Sequence, residues 1–91
     1  MIIFPNELTI TQVDEYRLEI QPIIDENPII TLDDSALVRI DTIGVQFILA
    51  VVTYILAQGK ELKWQSTSSI FHESILQLGI KEAILQDYLP N

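Results

Sequence analysis

The chain contains no cysteine. Disulfides, thiolate nucleophiles and thiolate metal sites are therefore excluded, and a reducing cytoplasm is the expected setting. Basic residues are scarce. Arg17, Arg39, Lys60, Lys63 and Lys81 stand against 13 acidic residues, for a formal net charge of -8. They form no cluster, and counterion-releasing phosphate contacts need a basic patch, so no nucleic-acid partner is expected. An anionic membrane surface would repel the chain for the same reason. The three glycines build no GxxxxGK[ST] loop, which leaves nucleotide hydrolysis without machinery. His72 is the only histidine; with no Cys or second His beside it, it cannot assemble the three or four ligands of a metal site. The longest apolar stretch, Ile43–Ala57, is broken by Gln46 and Thr53 and is shorter than the roughly 20 residues needed to span a bilayer. Met1-Ile2-Ile3-Phe4 runs straight into Pro5-Asn6, without the basic n-region of a signal peptide. A soluble single domain is the expectation, and 91 residues suffice for one modest core.

What is present reads as alternating strands and helices. Met1–Phe4 and Glu7–Ile10 are short strand candidates separated by Pro5-Asn6. Thr11 is the expected cap of a first helix over about Gln12 to Asp25, with Asp14 and Glu15 in its first turn to suit the helix dipole. Val13, Tyr16, Ile20 and Ile23-Ile24 recur at spacings of three and four, which marks a core stripe. Pro22 falls late in that pattern, where proline kinks or ends a helix. Asn27-Pro28 signals a turn. The β-formers of Ile29–Asp33 make a strand, and Leu37–Ile40 is a short extended segment. A second helix runs from about Thr42 to Gln58 and ends at Gly59, with Lys60 complementing its negative end. Glu61–Gln65 alternates like a half-buried strand, with Trp64 in or at the edge of the core. Ser66–Ser69 form a loop and cap. A third helix covers about Ser69–Leu78 and ends at Gly79. A short final helix over Lys81–Asp87 and a Pro90-Asn91 tail complete the chain. No internal repeat is visible. Strand–helix–strand order implies parallel pairs with right-handed crossovers.

The most informative stretch is Ile40-Asp41-Thr42-Ile43-Gly44-Val45-Gln46-Phe47-Ile48. Asp and Thr cap helices by accepting hydrogen bonds from the first free N–H groups. Glycine allows another backbone, or a partner, to come close. The helix that follows is too apolar for an ordinary surface helix. Either helices one and three bury it, or part of it is a docking patch. Asp33, Asp34 and Asp41 lie near strand ends, where carboxylates hold magnesium or do capping and turn work; capping is the simpler account. Ser66, Thr67, Ser68 and Ser69 have no base placed to activate them. Nothing in the pattern favours an enzyme.

Several motifs, in order, resemble those of the STAS domain family, whose members include bacterial anti-sigma factor antagonists. They are "FPNELTITQVDEY", "IITLDDSALVRIDTIGVQFIL" and "AQGKELKWQSTSSIFHESILQLGI". The resemblance covers essentially the whole chain. It implies a small mixed β-sheet of four to five strands with helices packed on one face. It also implies a non-catalytic, cytoplasmic regulatory module that takes no cofactor and no metal. Its signalling partner, a kinase or an anti-sigma-type factor, would dock on Asp41, Thr42, Ile43, Gly44, Val45, Phe47 and Ile48. In anti-sigma factor antagonists the phosphorylated hydroxyl directly precedes the glycine. Here that residue is Ile43, so the serine switch is not expected, and Thr42 is the nearest hydroxyl. Asp34 is a second departure, since the family has an apolar residue there. The Asp-Thr-x-Gly form is familiar in stand-alone STAS proteins of signalling clusters, which "IDTIGVQFIL" resembles most. It is familiar also in the STAS subunit of Mla-type phospholipid-transport complexes, whose partner is the ABC ATPase.

Overall fold

The computed structural model describes residues 1–85 and 87–89. Its centre is strand β3, Ile29–Asp33, formed by the β-branched run anticipated from sequence. Strands β1 (Ile2–Ile3) and β5 (Glu61–Trp64) flank it, and both pair with it in parallel. A second, separate parallel ladder joins β2 (Glu7–Leu8) to β4 (Arg39–Ile40). Two helices connect these strands, α1 (Ile10–Glu26) between β2 and β3 and α2 (Thr42–Ala57) between β4 and β5, and a third, α3 (Ser69–Leu78), follows β5. The expected final helix over Lys81–Asp87 reduces to a 3-10 turn at Ala83–Leu85; its Gln86 and the Pro90-Asn91 tail lie outside the described residues.

The α/β class agrees with the sequence reading, but the single mixed sheet of four to five strands does not. Among the described residues every pairing is parallel, and the strands divide three and two. The cause is local. Pro5-Asn6 breaks the chain after β1, and the Asp34–Leu37 turn breaks it after β3. The chain beyond each break leaves the larger sheet, and the Asn6 carbonyl accepts hydrogen bonds from Val38 N–H (2.8 Å) and Arg39 N–H (3.1 Å), which seats β4 beside β2.

One face of the larger sheet is covered and the other is open. Ile2, Leu32 and Trp64 sit side by side in register and are buried, with Ile30 and half-buried Leu62 in the next row. Ile3, Ile29, Glu61 and Lys63 point the other way and are exposed. This is the period-two consequence of strand geometry.

The structure also contains a repeat that the sequence does not display. Glu7 faces Arg39, Ile29 faces Glu61, and the caps of α1 and α2 are Thr9 and Asp41; the members of each pair are 32 positions apart. The repeated unit is a sheet strand, a short strand and a helix. Matched positions share burial more than identity: Tyr16 with Ile48 and Ile20 with Val52 are all buried, and of these three pairs only Val13 with Val45 repeats the residue as well.

Helix α1 begins before its expected start. Thr9 is the N-cap and not Thr11, so Asp14 and Glu15 lie beyond the first turn. The Gln12 side chain reaches back to accept from Thr9 N–H at 3.0 Å, one arm of a capping box. Pro22 is inside α1, on its exposed side, and the helix continues to Glu26. Lys60 serves α1 and not α2: its Nζ donates to the Asn27 carbonyl (2.8 Å) and the Asp25 carbonyl (3.3 Å). Gly59 and Gly79 take φ of 71° and 67° just past α2 and α3, a left-handed turn that favours glycine.

The apolar excess of α2 has a packing explanation. It lies against α1, α3, β4 and β5, and Val45, Ile48, Val52 and Ile55 are fully covered. Phe47 meets the edge of Tyr16, which in turn meets Phe4, each at 6.0 Å between ring centres. The Tyr16 hydroxyl donates to the Ile3 carbonyl at 2.9 Å, tying α1 to β1. Burial, reinforced by Glu19, pushes its pKa up to about 12.

Candidate functional site

The Asp41 turn is built by the second ladder and the starts of two helices. Asp41 follows β4 and is the N-cap of α2. One carboxylate oxygen accepts from Gly44 N–H at 2.8 Å, and the other accepts from Ile10 N–H, the first residue of α1, at 2.9 Å. A single side chain thus satisfies free amides of two helices, which Asp does well because each oxygen accepts independently. Partial desolvation pulls its pKa upward, but the amides of Gly44, Ile10 and Ile43 outweigh it and hold the carboxyl below its ordinary value.

This arrangement corrects the expected roles of its neighbours. Thr42 is the first residue of α2 and is exposed; it does not cap the helix. Gly44 is buried, and a Cβ there would stand 1.9 Å from the Leu8 carbonyl oxygen and 2.7 Å from Ile40 Cγ1. The close approach that its missing side chain permits is therefore that of the chain's own β2. Val45 and Ile48 are fully covered and Phe47 is 7% exposed. These three side chains, expected on a docking surface, belong to the core. Ile43 is 45% exposed and does not pack inward.

Two exposed apolar residues share this end of the molecule without having been expected there. Ile10 opens α1 and donates its N–H to Asp41, and Val38 precedes β4; they are 68% and 67% exposed. The signal for Ile10 was the Thr9-x-x-Gln12 spacing, which places it at the start of α1 as Thr42 is placed at the start of α2. Val38 carries no comparable sequence signal.

A second polar cluster forms where β3 and β5 end. Asp34 is 1% exposed and Ser66 3%. The Ser66 hydroxyl donates to one Asp34 oxygen, and Thr67 N–H donates to the other at 2.9 Å. Ser66 Oγ also lies 2.8 Å from His72 Nε2. The two contacts link Asp34, Ser66 and His72 in one polar chain. Ser68 caps α3, accepting from Phe71 N–H at 3.2 Å, and donates to the Leu37 carbonyl at 3.4 Å.

Asp33 stands apart, with one oxygen accepting from Ser35 N–H at 2.9 Å. Asp33, Asp34 and Asp41 do not converge, and no group of His, Asp or Glu among the described residues can hold a metal ion. Nor is any described helix long and apolar enough to cross a membrane. No family model, curated protein or solved structure matches the chain.

Proposed function

We propose that this chain is a non-catalytic, cytoplasmic regulatory module that docks a signalling protein through the Asp41–Gly44 turn. One observation carries the reading. The Asp41 carboxylate clamps the starts of α1 and α2 together, and the two residues mounted on that clamp, Thr42 and Ile43, face solvent. A rigid platform loses little freedom on association. Ile43 then contributes a share of the roughly 1.5–3 kcal/mol that full burial of such a side chain is worth, and exposed Ile10 and Val38 widen the apolar surface. The STAS-like motifs support the same turn as the contact, and the one-sided covering of the larger sheet fits the helices-on-one-face fold of that family.

The partner in this reading is a kinase or an anti-sigma-type factor. Ile43 accepts no phosphate, so docking is constitutive at that position. The exposed Thr42 hydroxyl is the site left for a switch; a phosphate there would add about -1.5 to -2 charges beside the apolar residues.

The test is Ile43→Glu. Its side chain is already partly in solvent, so the variant keeps its melting temperature while losing the partner captured by the unaltered chain from its native host. Capture of a permease and ATPase would move the protein to the phospholipid-transport branch. A variant that unfolds, or one that binds as before, would remove Ile43 from the interface.

A further inference from the structure

The two edges of the larger sheet are finished differently. Strand β1 has two residues and is stopped by Pro5. Its outward carbonyl, that of Ile3, accepts from the Tyr16 hydroxyl at 2.9 Å. Short length and proline are common guards of an edge strand, and the tyrosine adds a plug. Strand β5 has four residues and no such plug. Glu61 N–H donates to the Pro28 carbonyl at 3.1 Å, so the backbone groups of Glu61 face β3. Parallel pairing alternates. The groups of Lys63 therefore face β3 as well, and those of Leu62 and Trp64 face outward. The C-terminal segment meets this edge at one point, where Ser66 N–H donates to the Tyr88 carbonyl at 2.9 Å. Among the described residues no backbone acceptor takes Leu62 N–H or Trp64 N–H. The side chains beside these free groups are Glu61 and Lys63, both exposed on the open face of the sheet. A lone charge on an edge repels a second strand. Two opposite charges at alternate positions are complementary to themselves.

We propose that β5 pairs antiparallel with β5 of a second copy of this chain, about a two-fold axis at Leu62. In this register Leu62 and the partner's Leu62 each donate an N–H to the other's carbonyl, and Trp64 N–H reaches the carbonyl of the partner's Lys60. Glu61 then stands opposite the partner's Lys63, and Lys63 opposite the partner's Glu61. These are the close, non-hydrogen-bonded positions of an antiparallel pair, where opposite charges stabilise. The neighbouring register would set Lys63 against the partner's Lys63, and like charges directly opposite are destabilising. The same patch serves both copies, as a two-fold contact requires, and the three-stranded sheet is doubled. Each copy carries a net charge of -8, but repulsion between exposed charges is screened beyond about 8 Å at physiological salt, whereas the two ion pairs form at the contact. The contact lies at the small end of specific interfaces, below about 1,200 Å² of buried area, so the dimer is weak and concentration-dependent. Strand β5 shares no residue with the Asp41–Gly44 turn, so the two proposals stand or fall separately.

The experiment is sedimentation equilibrium of the intact chain at physiological salt, from micromolar to millimolar concentration. A monomer–dimer equilibrium is expected, with the Leu62 and Trp64 amides gaining hydrogen-exchange protection as concentration rises. Glu61→Lys and Lys63→Glu each set like charges opposite one another and should weaken the dimer about ten-fold or more. Mixed together, the two variants restore both ion pairs, and a heterodimer should form at least as tightly as the unaltered dimer. Glu61→Lys also lessens the net negative charge, so association governed by net charge alone would strengthen where this pairing requires weakening. Leu62→Pro removes an outward N–H, a change that an edge strand tolerates, and should give a folded monomer. A chain that stays monomeric at millimolar concentration would overturn the assignment and leave the edge to a strand of another protein. So would a dimer that neither charge variant weakens, or one that Ile43→Glu dissolves, since the contact would then be the docking turn.

Discussion

Asp34 and Asp41 come from one short connection between β3 and α2, yet their carboxylates are satisfied in opposite ways. Asp41 is half-buried and accepts only from backbone amides close to it in the fold, those of two helix starts. Asp34 is almost wholly buried and depends on side chains and an amide from the far end of β5. Backbone amides are present whatever the residue type, so the Asp41 clamp requires no particular side chain at Thr42 or Ile43 and leaves both exposed. The Asp34 site needs the Ser66 hydroxyl by identity, and its carboxylate is sealed from water. One carboxylate organises a surface; the other locks two strand ends together.

The largest effect that would break this contrast is at Gly44. Helix propensity alone favours Gly44→Ala by about 1 kcal/mol. The clash with the Leu8 carbonyl reverses the sign, and we expect a loss of about 4 kcal/mol or outright failure to fold. A melting temperature equal to that of the unaltered chain would show that β2 does not press on the start of α2.

Next in size is Asp34→Ala, which strands the donors of Ser66 and Thr67 in a buried site and should cost about 3 kcal/mol by denaturant unfolding. Asp34→Leu combined with Ser66→Ala removes both sides of the contact, so the double variant should recover about 1–2 kcal/mol relative to the sum of the singles. Strict additivity would mean the two residues do not act together.

Asp41→Ala should cost less, about 1–2 kcal/mol, because water reaches the freed amides. Its pH signature distinguishes it. The carboxyl is held low in the folded state, so its contribution is present above the unfolded value of about 3.9 and fades as pH falls through the lower folded value. Asp41→Asn should flatten that part of the acid unfolding curve; a curve of unchanged shape would argue against the clamp.

The smallest effect belongs to Thr42→Ala. As an exposed first-turn residue and not a cap, it should shift stability by no more than about 0.5 kcal/mol. A larger loss in thermal melting would restore the capping role that the Asp-Thr motif suggests.

Local chemistry was readable in the sequence, and contact across the repeat was not. The β-branched run gave β3 its bounds, and the Ser66–Ser69 cap segment with Gly79 framed α3, whose cap is Ser68. Thr11 reads as the cap from its place before Asp14-Glu15, whereas the cap is Thr9, whose partner Gln12 lies three residues on. The apolar surplus of α2 left core and interface equally open; only the packing of α1 and α3 on either side resolves it. Gly44 reads correctly as a point of close approach, but what approaches is Leu8, from a ladder that two short strands do not announce. Asp34 and Ser66 meet because they occupy matching places in successive units, and a repeat of burial with little repeat of residue type leaves little pattern in the letters.

The 32-position register has a consequence for how the chain acquires its shape during synthesis. Each strand pairs with one from the preceding unit, so β1, β2, α1, β3 and β4 can assemble before β5 has left the ribosome. Parallel pairing is slow when distant segments must find each other; here no ladder needs a segment more than one unit away. The Asp34 carboxylate marks completion. It stays hydrated until Ser66 and Thr67 arrive, and only then is it sealed from water. A chain lacking β5 and the residues after it would leave the Asp34 carboxylate open to water at the end of β3.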